Sequence, residues 1–377
     1  MTKGKRGPGQ VCLADVCRAL EEIAPLRLAQ DWDNVGLLAG DENAAVRRVL
    51  LCIDLTGPVV EEAITRKADL VMAYHPPVFR PISRLHGHSR ETDAHVFRCV
   101  AAGIAIYSTH TALDAAEGGT NDVLAGLCGV KQTHPLEYAA ADPPRCKVVV
   151  FVPPDSADKV AGAMFAAGAG HIGDYEMCSY RLAGEGTFRG SESTRPTIGR
   201  AGQFERVAEL RIESITPKHA VPAVVEAIRR AHPYEEPAFD VYPLEAEPVR
   251  ATGRYGHLPK PTTLGALARR LKRVTSAGCA QIVGGPNQRV TRAVVCVGAA
   301  GSLPFKLPVG EGDVIVTGEI RHHDALTINR HGAGAIALGH WASERPALGP
   351  FGQRLAAGVP GLDVQLSAAD HDPFARA

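Results

Sequence analysis

The chain has 377 residues, 45% of them hydrophobic, with 41 basic and 41 acidic side chains and a formal net charge of zero. A chain of this length is expected to form more than one compact module, and zero net charge provides no overall field to attract nucleic acid or an anionic membrane, so neither is expected as a partner. The nine cysteines form no CxxC pair, and no apolar segment is long enough for a membrane span or a signal peptide, which predicts a cytoplasmic protein with reduced thiols.

The first part of the chain predicts short apolar strands that alternate with amphipathic helices. Helices are predicted over residues 11–29, 58–67 and 91–102 and from about Asn121, and strands over residues 48–54, 69–74 and 104–108. Continuous apolar strands between helices are typical of a parallel or mixed sheet that helices cover on both faces. Residues 1–136 are therefore predicted to form the first half of an α/β core.

A change of composition at residues 137–145 indicates a linker, and a self-contained pattern follows it. Strands are predicted over residues 148–152, 175–181, 207–213 and 238–242, and helices over residues 155–167 and 218–231. The order β-α-β-β-α-β is that of a ferredoxin-like unit. Residues 146–246 are therefore predicted to be an inserted α+β domain.

The earlier pattern returns after residue 250. A helix is predicted over residues 263–273, and strands over residues 281–283, 294–297, 314–317 and 335–339. Residues 250–377 are therefore predicted to complete the core. The expected fold is a helix-covered α/β sheet core, formed by the N- and C-terminal segments and interrupted by the ferredoxin-like insert.

Side chains that can bind metals follow four of the predicted strands. They are His75 after the strand at 69–74, His110 and Asp114 after 104–108, Glu319 and His322 after 314–317, and His340 and Glu344 after 335–339. Ligands of α/β sheets gather at the carboxyl ends of the strands, so these side chains are expected at one rim. Imidazole and carboxylate groups without thiolates suit zinc, manganese or iron.

Spacing adds detail to this hypothesis. His340 and Glu344 are four residues apart, so a helix that begins after the strand would point both side chains from one face toward one ion. A carboxylate such as that of Asp114 can bridge two ions.

Each of these residues also has an ordinary structural interpretation. His75 could cap a strand or satisfy the core, Glu344 could be a solvated helix residue, and His322 with His323 could be a surface pair. Asp114 with its following glycines could be turn chemistry. The combination at four strand ends favours one site, because independent coincidences at all four are less probable.

Three other segments leave alternatives open. Residues 298–302 could cradle a phosphate or form a tight turn, and the turn is favoured because the lysine of a P-loop is absent. Residues 32–36 could position a substrate, although a buried Trp32 beside a turn is the preferred interpretation. Residues 232–237 could bind a metal or small ligand, or form a rigid turn between two prolines.

Several motifs resemble the Nif-three-like proteins, often named GTP cyclohydrolase 1 type 2 homologs. The matching segments of the core are WDNVGLL (32–38), YHPPVF (74–79), STHTALDAAEGGTND (108–122), TGEIRHHDAL (317–326) and GHWASE (339–344). The segments GHIGDYEMCSYRLAGEGTFRG (170–190) and HPYEEPAFDVYPL (232–244) are similar to the PII-like or CutA-like insert of the longer bacterial members.

The resemblance implies a centre of two divalent metal ions and a ring-shaped homohexamer. Carried over to this sequence, it implies that the ligands are His75, Asp114, His340 and Glu344. Many members have two consecutive histidines where this chain has Tyr74 and His75, which removes one expected ligand. We expect the Tyr74 phenol to hydrogen-bond a metal-bound water without coordinating the ion, since its reference pKa is about 10.

Other side chains are candidates for roles around the ions. His110, Glu319 and His322, with Tyr74, are predicted as contacts of the ligands or as additional ligands. No residue identifies a general acid or a guanine pocket, so the catalytic residues are not predicted.

Two functions follow as hypotheses. The first is a metal-dependent hydrolase that acts on a nucleotide or another phosphorylated small molecule. The alternative is a non-enzymatic metal-binding or regulatory protein with the insert as a sensor.

Overall fold

The computed structural model describes residues 11–87, 92–140, 144–245 and 248–375. The chain divides into two compact units: one combines the residues up to Ala139 with those from Arg250 onward, and the other is Ala140–Val249. Residue 91 of a predicted helix and residues 141–143 of the predicted linker lie outside the described residues. None of the helices in the described ranges has the length and apolar character needed to cross a membrane.

The N-terminal part of the first unit alternates helices with short strands. Its helices are α1 Leu13–Ile23, α2 Gly57–Thr65, α3 Thr92–Ala101, α4 His110–Ala115 and α5 Thr120–Leu127. Its strands are β1 Gly36–Ala39, β2 Arg48–Cys52, β3 Leu70–Ala73, β4 Ala105–Ser108, β5 His134–Pro135 and β6 Tyr138–Ala140. In α1 the apolar residues repeat every three or four positions, and this repeat creates the face that the helix buries.

In the second unit, the described residues 144–245 form two helices and four strands in the order β-α-β-β-α-β. They are β7 Arg145–Val152, α6 Ala157–Ala166, β8 Tyr180–Arg189, β9 Phe204–Pro217, α7 Val221–Ala231 and β10 Phe239–Leu244. The strands form an antiparallel sheet in the order β10-β7-β9-β8. Val148, Val150 and Val152 alternate along β7 and are fully buried in a cluster with residues of both helices.

The C-terminal part returns to the first unit. Its strands are β11 Pro248–Arg250, β12 Arg254–Thr263, β13 Gln281–Val283, β14 Arg289–Ala299, β15 Asp313–Glu319, β16 Gly334–Ala337 and β17 Asp363–Leu366. Its helices are α8 Leu264–Val274, α9 His322–Arg330, α10 His340–Glu344 and α11 Leu348–Gly358. Strand β11 pairs with β6, so the two connecting segments of the chain run side by side.

The first unit contains two mixed sheets, each with a strand from the other part of the chain. The first has the order β1-β4-β3-β2-β17, with parallel pairing from β4 to β17 and an antiparallel edge at β1. The second has the order β13-β16-β15-β14-β12-β5, with β16, β15 and β14 parallel. The N-terminal segment thus supplies β5 to the second sheet, and the C-terminal segment supplies β17 to the first.

Buried apolar clusters line these sheets, and one side chain links two of them. Neighbouring side chains of β2 point to opposite faces of the sheet. Leu51 packs in the cluster that contains residues of α1 and α11, and Leu50 packs in the cluster that contains residues of α2 and α3. Trp341 on α10 packs against a cluster of the first sheet and one of the second. Helix α10 therefore lies where the two sheets meet.

The predicted mixed α/β class is confirmed. The expectation of one core sheet is wrong, because the strands of the first unit form two. Periodicity predicts which segments become strands, but pairing partners distant in the chain leave no local pattern.

Candidate metal centre

The carboxyl ends of the parallel strands carry the polar residues of the candidate site. Each of three neighbouring strands is followed, two residues after its end, by a polar side chain: Asp54 after β2, His75 after β3 and His110 after β4. Backbone hydrogen bonds hold these ends in register: His75 N donates to Ile53 O (3.0 Å) and His110 N donates to Tyr74 O (3.1 Å). In the second sheet Glu319 ends β15, and His340 begins α10 just after β16.

Three side chains converge on one point. His75, His340 and Glu344 each offer a ligand atom, and these atoms lie within 4.8 Å of one another. Glu344 Oε1 is 3.1 Å from His340 Nε2, and its Oε2 is 3.4 Å from His75 Nε2. The one-turn spacing on α10 directs His340 and Glu344 from the same helix face toward His75.

Each of the two imidazoles is oriented by a carboxylate behind it. His75 Nδ1 pairs with Asp54 Oδ1 (2.9 Å), and His340 Nδ1 pairs with Glu319 Oε1 (2.7 Å). These bonds fix the rings and leave both Nε2 atoms facing Glu344, as in carboxylate–histidine–metal arrangements.

The carboxylates also determine the proton affinity of the group. Burial lowers the pKa of His75, but the carboxylates of Asp54 and Glu344 outweigh burial and raise this pKa to about 10. The hydrogen bond to Glu344 is the main reason that the pKa of His340 rises to about 9. Burial opposes ionisation of Glu344, yet the two imidazoles hold its pKa below the usual value. His75 and His340 therefore favour their protonated forms beside the ionised Glu344. A divalent ion bound by the same three side chains would displace the imidazole protons.

Asp114 lies beside this group and is held by two hydroxyls. The Tyr74 hydroxyl donates to Asp114 Oδ1 (2.6 Å), and the Thr120 hydroxyl donates to the same oxygen. Burial raises the pKa of Asp114 to about 6, and the charge of Glu344 adds to the increase. Burial and the neighbouring carboxylates keep the pKa of Tyr74 well above its usual value, so the phenol stays neutral.

A glycine of β14 lies in close contact with two of the ligands. Gly298 is buried with φ of 60°, and a Cβ built there would lie 2.5 Å from Glu344 Oε1 and 3.1 Å from His340 Nε2. Its N–H donates to Ser343 Oγ (2.8 Å), which in turn donates to His340 O (2.8 Å). A side chain at position 298 would therefore displace the imidazole or the carboxylate.

The donor set fits a divalent metal ion. Glu344 is 3% exposed, and its Oε2 has no hydrogen-bond partner among the described residues. A buried carboxylate is costly unless a cation neutralises it, and a metal ion would supply that charge when the two neighbouring imidazoles are unprotonated. Two imidazoles and one carboxylate are the donors of catalytic zinc sites and of non-haem iron sites, both of which keep positions for other ligands.

The remaining predicted residues occupy different positions around the three donors. The His110 ring lies 5.4 Å from the His75 ring, and its Nδ1 pairs with Asp33 (2.8 Å). Glu319 contacts His340 as described, whereas His322 is exposed and stacks edge-on against His323. Of the four ligands implied by the resemblance, Asp114 is the one outside the converging group.

One expectation about an individual residue needs correction. Trp32 is 60% exposed, so the interpretation as a buried tryptophan is wrong; the segment instead positions Asp33, which binds His110 and Thr111. The Tyr74 hydroxyl donates its single proton to Asp114, so its oxygen could contact a metal-bound water only as an acceptor, and that contact stays a prediction.

Sequence reasoning missed Asp54, Asp33 and Gly298. Asp54 was detectable, because it is a carboxylate at a strand end like the predicted residues, but it was counted as the last residue of the strand predicted over residues 48–54. Gly298 lay in a segment that was interpreted as a phosphate cradle or, preferably, a tight turn. Asp33 precedes β1, a short strand with no clear signal, so nothing placed it near His110.

The polar segment at residues 232–237 forms a turn in the second unit. His232 donates from Nε2 to Phe151 O (2.9 Å), and its Nδ1 accepts from Tyr234 N (3.0 Å). Both ring nitrogens are thus used within the protein, and burial lowers the pKa of His232. The geometry favours the rigid-turn interpretation over a metal site at this histidine.

One family model and several named relatives match the chain over most of its length. The family model described as Duf34/NIF3 (NGG1p interacting factor 3) matches residues 11–373. A Mycobacterium tuberculosis protein named GTP cyclohydrolase 1 type 2 homolog is 38% identical over 370 residues, covering 97% of each chain. A Bacillus subtilis protein of the same name is 33% identical over 330 residues, covering 87% of this chain and 88% of the relative.

Two solved structures resemble the chain over nearly its full length. A Bacillus cereus protein related to NIF3 has a TM-score of 0.66 and 34% identity, covering 97% of this chain and 99% of its own. Staphylococcus aureus protein SA1388 has a TM-score of 0.78 and 25% identity, and the match covers 98% of this chain and 100% of that protein.

Proposed function

The chain belongs to the Duf34/NIF3 family, and we propose that it binds divalent metal ions and uses them to hydrolyse a nucleotide or another phosphorylated small molecule. The observation that carries this proposal is the convergence of ligand atoms of His75, His340 and Glu344 within 4.8 Å of one another. A structural metal site would instead be closed by a fourth protein ligand.

We propose that the first ion is held by His75 Nε2, His340 Nε2 and the Glu344 carboxylate. The second ion that the resemblance implies has fewer donors in this chain. Asp114 Oδ1 already accepts two hydrogen bonds, so Oδ2 and His110 Nε2 are the atoms left for it. We infer one tightly held ion and one weakly held ion, with zinc, manganese and iron all compatible with the donors.

The chain's own groups would perform the remaining tasks. An ion held there would polarise a phosphoryl or carbonyl oxygen and lower the pKa of a coordinated water. While the weakly held second ion is absent, Asp114, with a pKa raised by burial to about 6, is suited to accept and return a proton at Oδ2 near neutral pH. Asp54 and Glu319 keep the two imidazoles oriented, and Gly298 lets β14 approach His340 and Glu344 closely.

We further propose that the second unit is an inserted ferredoxin-like domain. Its β-α-β-β-α-β order and its sheet order β10-β7-β9-β8 support this assignment. The family resemblance also supports a homohexamer, and the dispersed cysteines support a cytoplasmic location. Sedimentation equilibrium of the purified protein tests the hexamer.

An assay of metal-dependent turnover tests whether the protein is a hydrolase. Protein loaded with Zn²⁺ or Mn²⁺ is incubated with GTP, other nucleotides and phosphomonoesters, while phosphate release and guanine absorbance are followed. We expect turnover that Glu344→Gln abolishes and that the matched exposed variant Glu22→Gln retains. Stoichiometric metal binding without turnover on any of these compounds would favour the non-enzymatic alternative.

A further inference from the structure

The C-terminal segment places a buried carboxylate in the core. Asp370 is 3% exposed. Its Oδ2 accepts from Ile53 N (2.9 Å) and lies 3.0 Å from Arg345 Nε, and its Oδ1 accepts from Trp341 Nε1 (3.1 Å). One carboxylate thus contacts the end of β2 in the first sheet and the α10 region that follows β16 in the second.

Each partner of Asp370 is the direct neighbour in sequence of a residue of the candidate centre. Ile53 precedes Asp54, which orients His75, and Ile53 O also accepts from His75 N (3.0 Å). Trp341 follows His340, and Arg345 follows Glu344. Asp370 is therefore linked to His75 through Ile53, to His340 through Trp341 and to Glu344 through Arg345.

We propose that Asp370 is a positioning residue that holds the two halves of the metal centre at the separation required for His75, His340 and Glu344 to grip one ion. The His75 side comes from the first sheet and the other two ligands come from α10. A buried carboxylate that accepts from both sides fixes their spacing, because its short side chain has little freedom and its charge is paired with Arg345. Groups behind metal ligands typically alter metal affinity about 10- to 100-fold when they are replaced.

A second carboxylate anchors the same segment without reaching the centre. Glu62 on α2 accepts from the backbone N–H groups of Ala368 (2.9 Å) and Ala369 (3.0 Å) and from the Ser367 hydroxyl. Glu62 therefore serves as a matched control, since its replacement loosens the C-terminal segment but leaves the contacts of Ile53, Trp341 and Arg345 with Asp370.

The experiment compares Zn²⁺ affinity and Co²⁺ spectra of the full-length protein, Asp370→Asn and Glu62→Gln. Because the inference rests on the proposed metal centre, the unmodified protein is titrated first against a chromogenic chelator. We expect Asp370→Asn to bind Zn²⁺ about 10- to 100-fold more weakly and to change the visible spectrum of bound Co²⁺. Glu62→Gln should keep both the affinity and the spectrum, although the midpoint of thermal unfolding falls in both metal-free variants.

The outcomes separate this inference from the proposed function. No tight Zn²⁺ binding by the unmodified protein would reject the metal centre itself. Tight binding that Asp370→Asn leaves unchanged, or that Glu62→Gln weakens equally, would reject only the positioning role of Asp370.

Discussion

Tyr74 is a buried phenol at the end of β3, and its hydroxyl is used by Asp114. An imidazole at this position would offer a nitrogen donor beside His75, whereas the neutral phenol offers a hydrogen bond. Because Asp114 Oδ1 accepts this hydrogen bond, it is less available as a ligand for an ion beside Tyr74. A single residue thereby changes how strongly the second proposed ion is held.

Substitution of Tyr74 tests this consequence. After dialysis against metal-free buffer, we expect the unmodified chain to retain about one zinc ion and Tyr74→His about two, because the new imidazole adds a donor. Tyr74→Phe keeps the ring but loses the hydrogen bond, and should still retain one. Elemental analysis of protein and zinc measures the ratio. Two ions in the unmodified chain, or loss of its one ion in Tyr74→Phe, would show that the phenol has another role.

Among the elements, β12 links the two parts of the first unit through a buried arginine. The Arg254 guanidinium is fully buried. Its Nε donates to Asp122 Oδ1 (2.8 Å), and its Nη2 donates to the carbonyls of Ala115 (2.9 Å) and Ala116 (3.1 Å). These carbonyls come directly after Asp114, so β12 fixes the end of α4 on which Asp114 lies.

Removal of this guanidinium should be strongly destabilising. Arg254→Met removes the buried cation that pairs with Asp122 and the guanidinium donor of four carbonyls, and we expect a loss of about 3–5 kcal/mol in the free energy of unfolding at neutral pH. Urea denaturation measures the loss. The matched variant Arg18→Met removes an exposed pair with Asp15 and should leave the midpoint unchanged. Equal stability of the two variants would contradict the assigned role of Arg254.

The same pair predicts how stability depends on pH. Burial raises the pKa of Asp122, but Arg254 outweighs burial and holds the pKa below its usual value. A lowered folded-state pKa contributes stability that is present above the unfolded pKa of about 4 and is lost as pH falls through the folded value. The stability difference between the unmodified chain and Asp122→Asn should therefore be constant near neutrality and shrink below about pH 4. A difference that does not change with pH would exclude this linkage.

The elements that sequence predicts well are those with strong local patterns. The apolar runs that become β2, β3, β4, β15 and β16 were predicted within a few residues, and with them the strand ends that carry His75 and His340. Strand β12 was missed because it contains Pro259 and Pro261 and lacks regular alternation. Strand β17 is four residues long and acquires its structure from pairing with β2, 315 residues away at Asp363↔Arg48.

At the scale of the whole molecule, the connecting strands β6 and β11 pair where the chain leaves and re-enters the first unit. Adjacent entry and exit points are what a tolerated insertion requires, since the two ends can be joined without displacing the core. The residues proposed to bind metal all lie in the first unit. Metal binding should therefore not depend on the chemistry of the second unit.

Excision of the second unit tests this independence. We expect a chain in which a short Gly/Ser linker replaces residues 140–249 to keep a cooperative thermal unfolding transition and the same zinc content per chain. The reason is that both sheets and all four buried clusters of the first unit remain complete. An unfolded product that binds no zinc would show that the two units are not separable.

The location of a bound ion tests the central claim most directly. Crystals of the zinc-loaded protein, measured on both sides of the zinc absorption edge, give an anomalous map that identifies the metal without reference to function. We predict the strongest peak at roughly 2.0–2.2 Å from His75 Nε2, His340 Nε2 and a Glu344 oxygen. A peak bound by other residues, or no peak among these three side chains, would contradict the proposed metal centre.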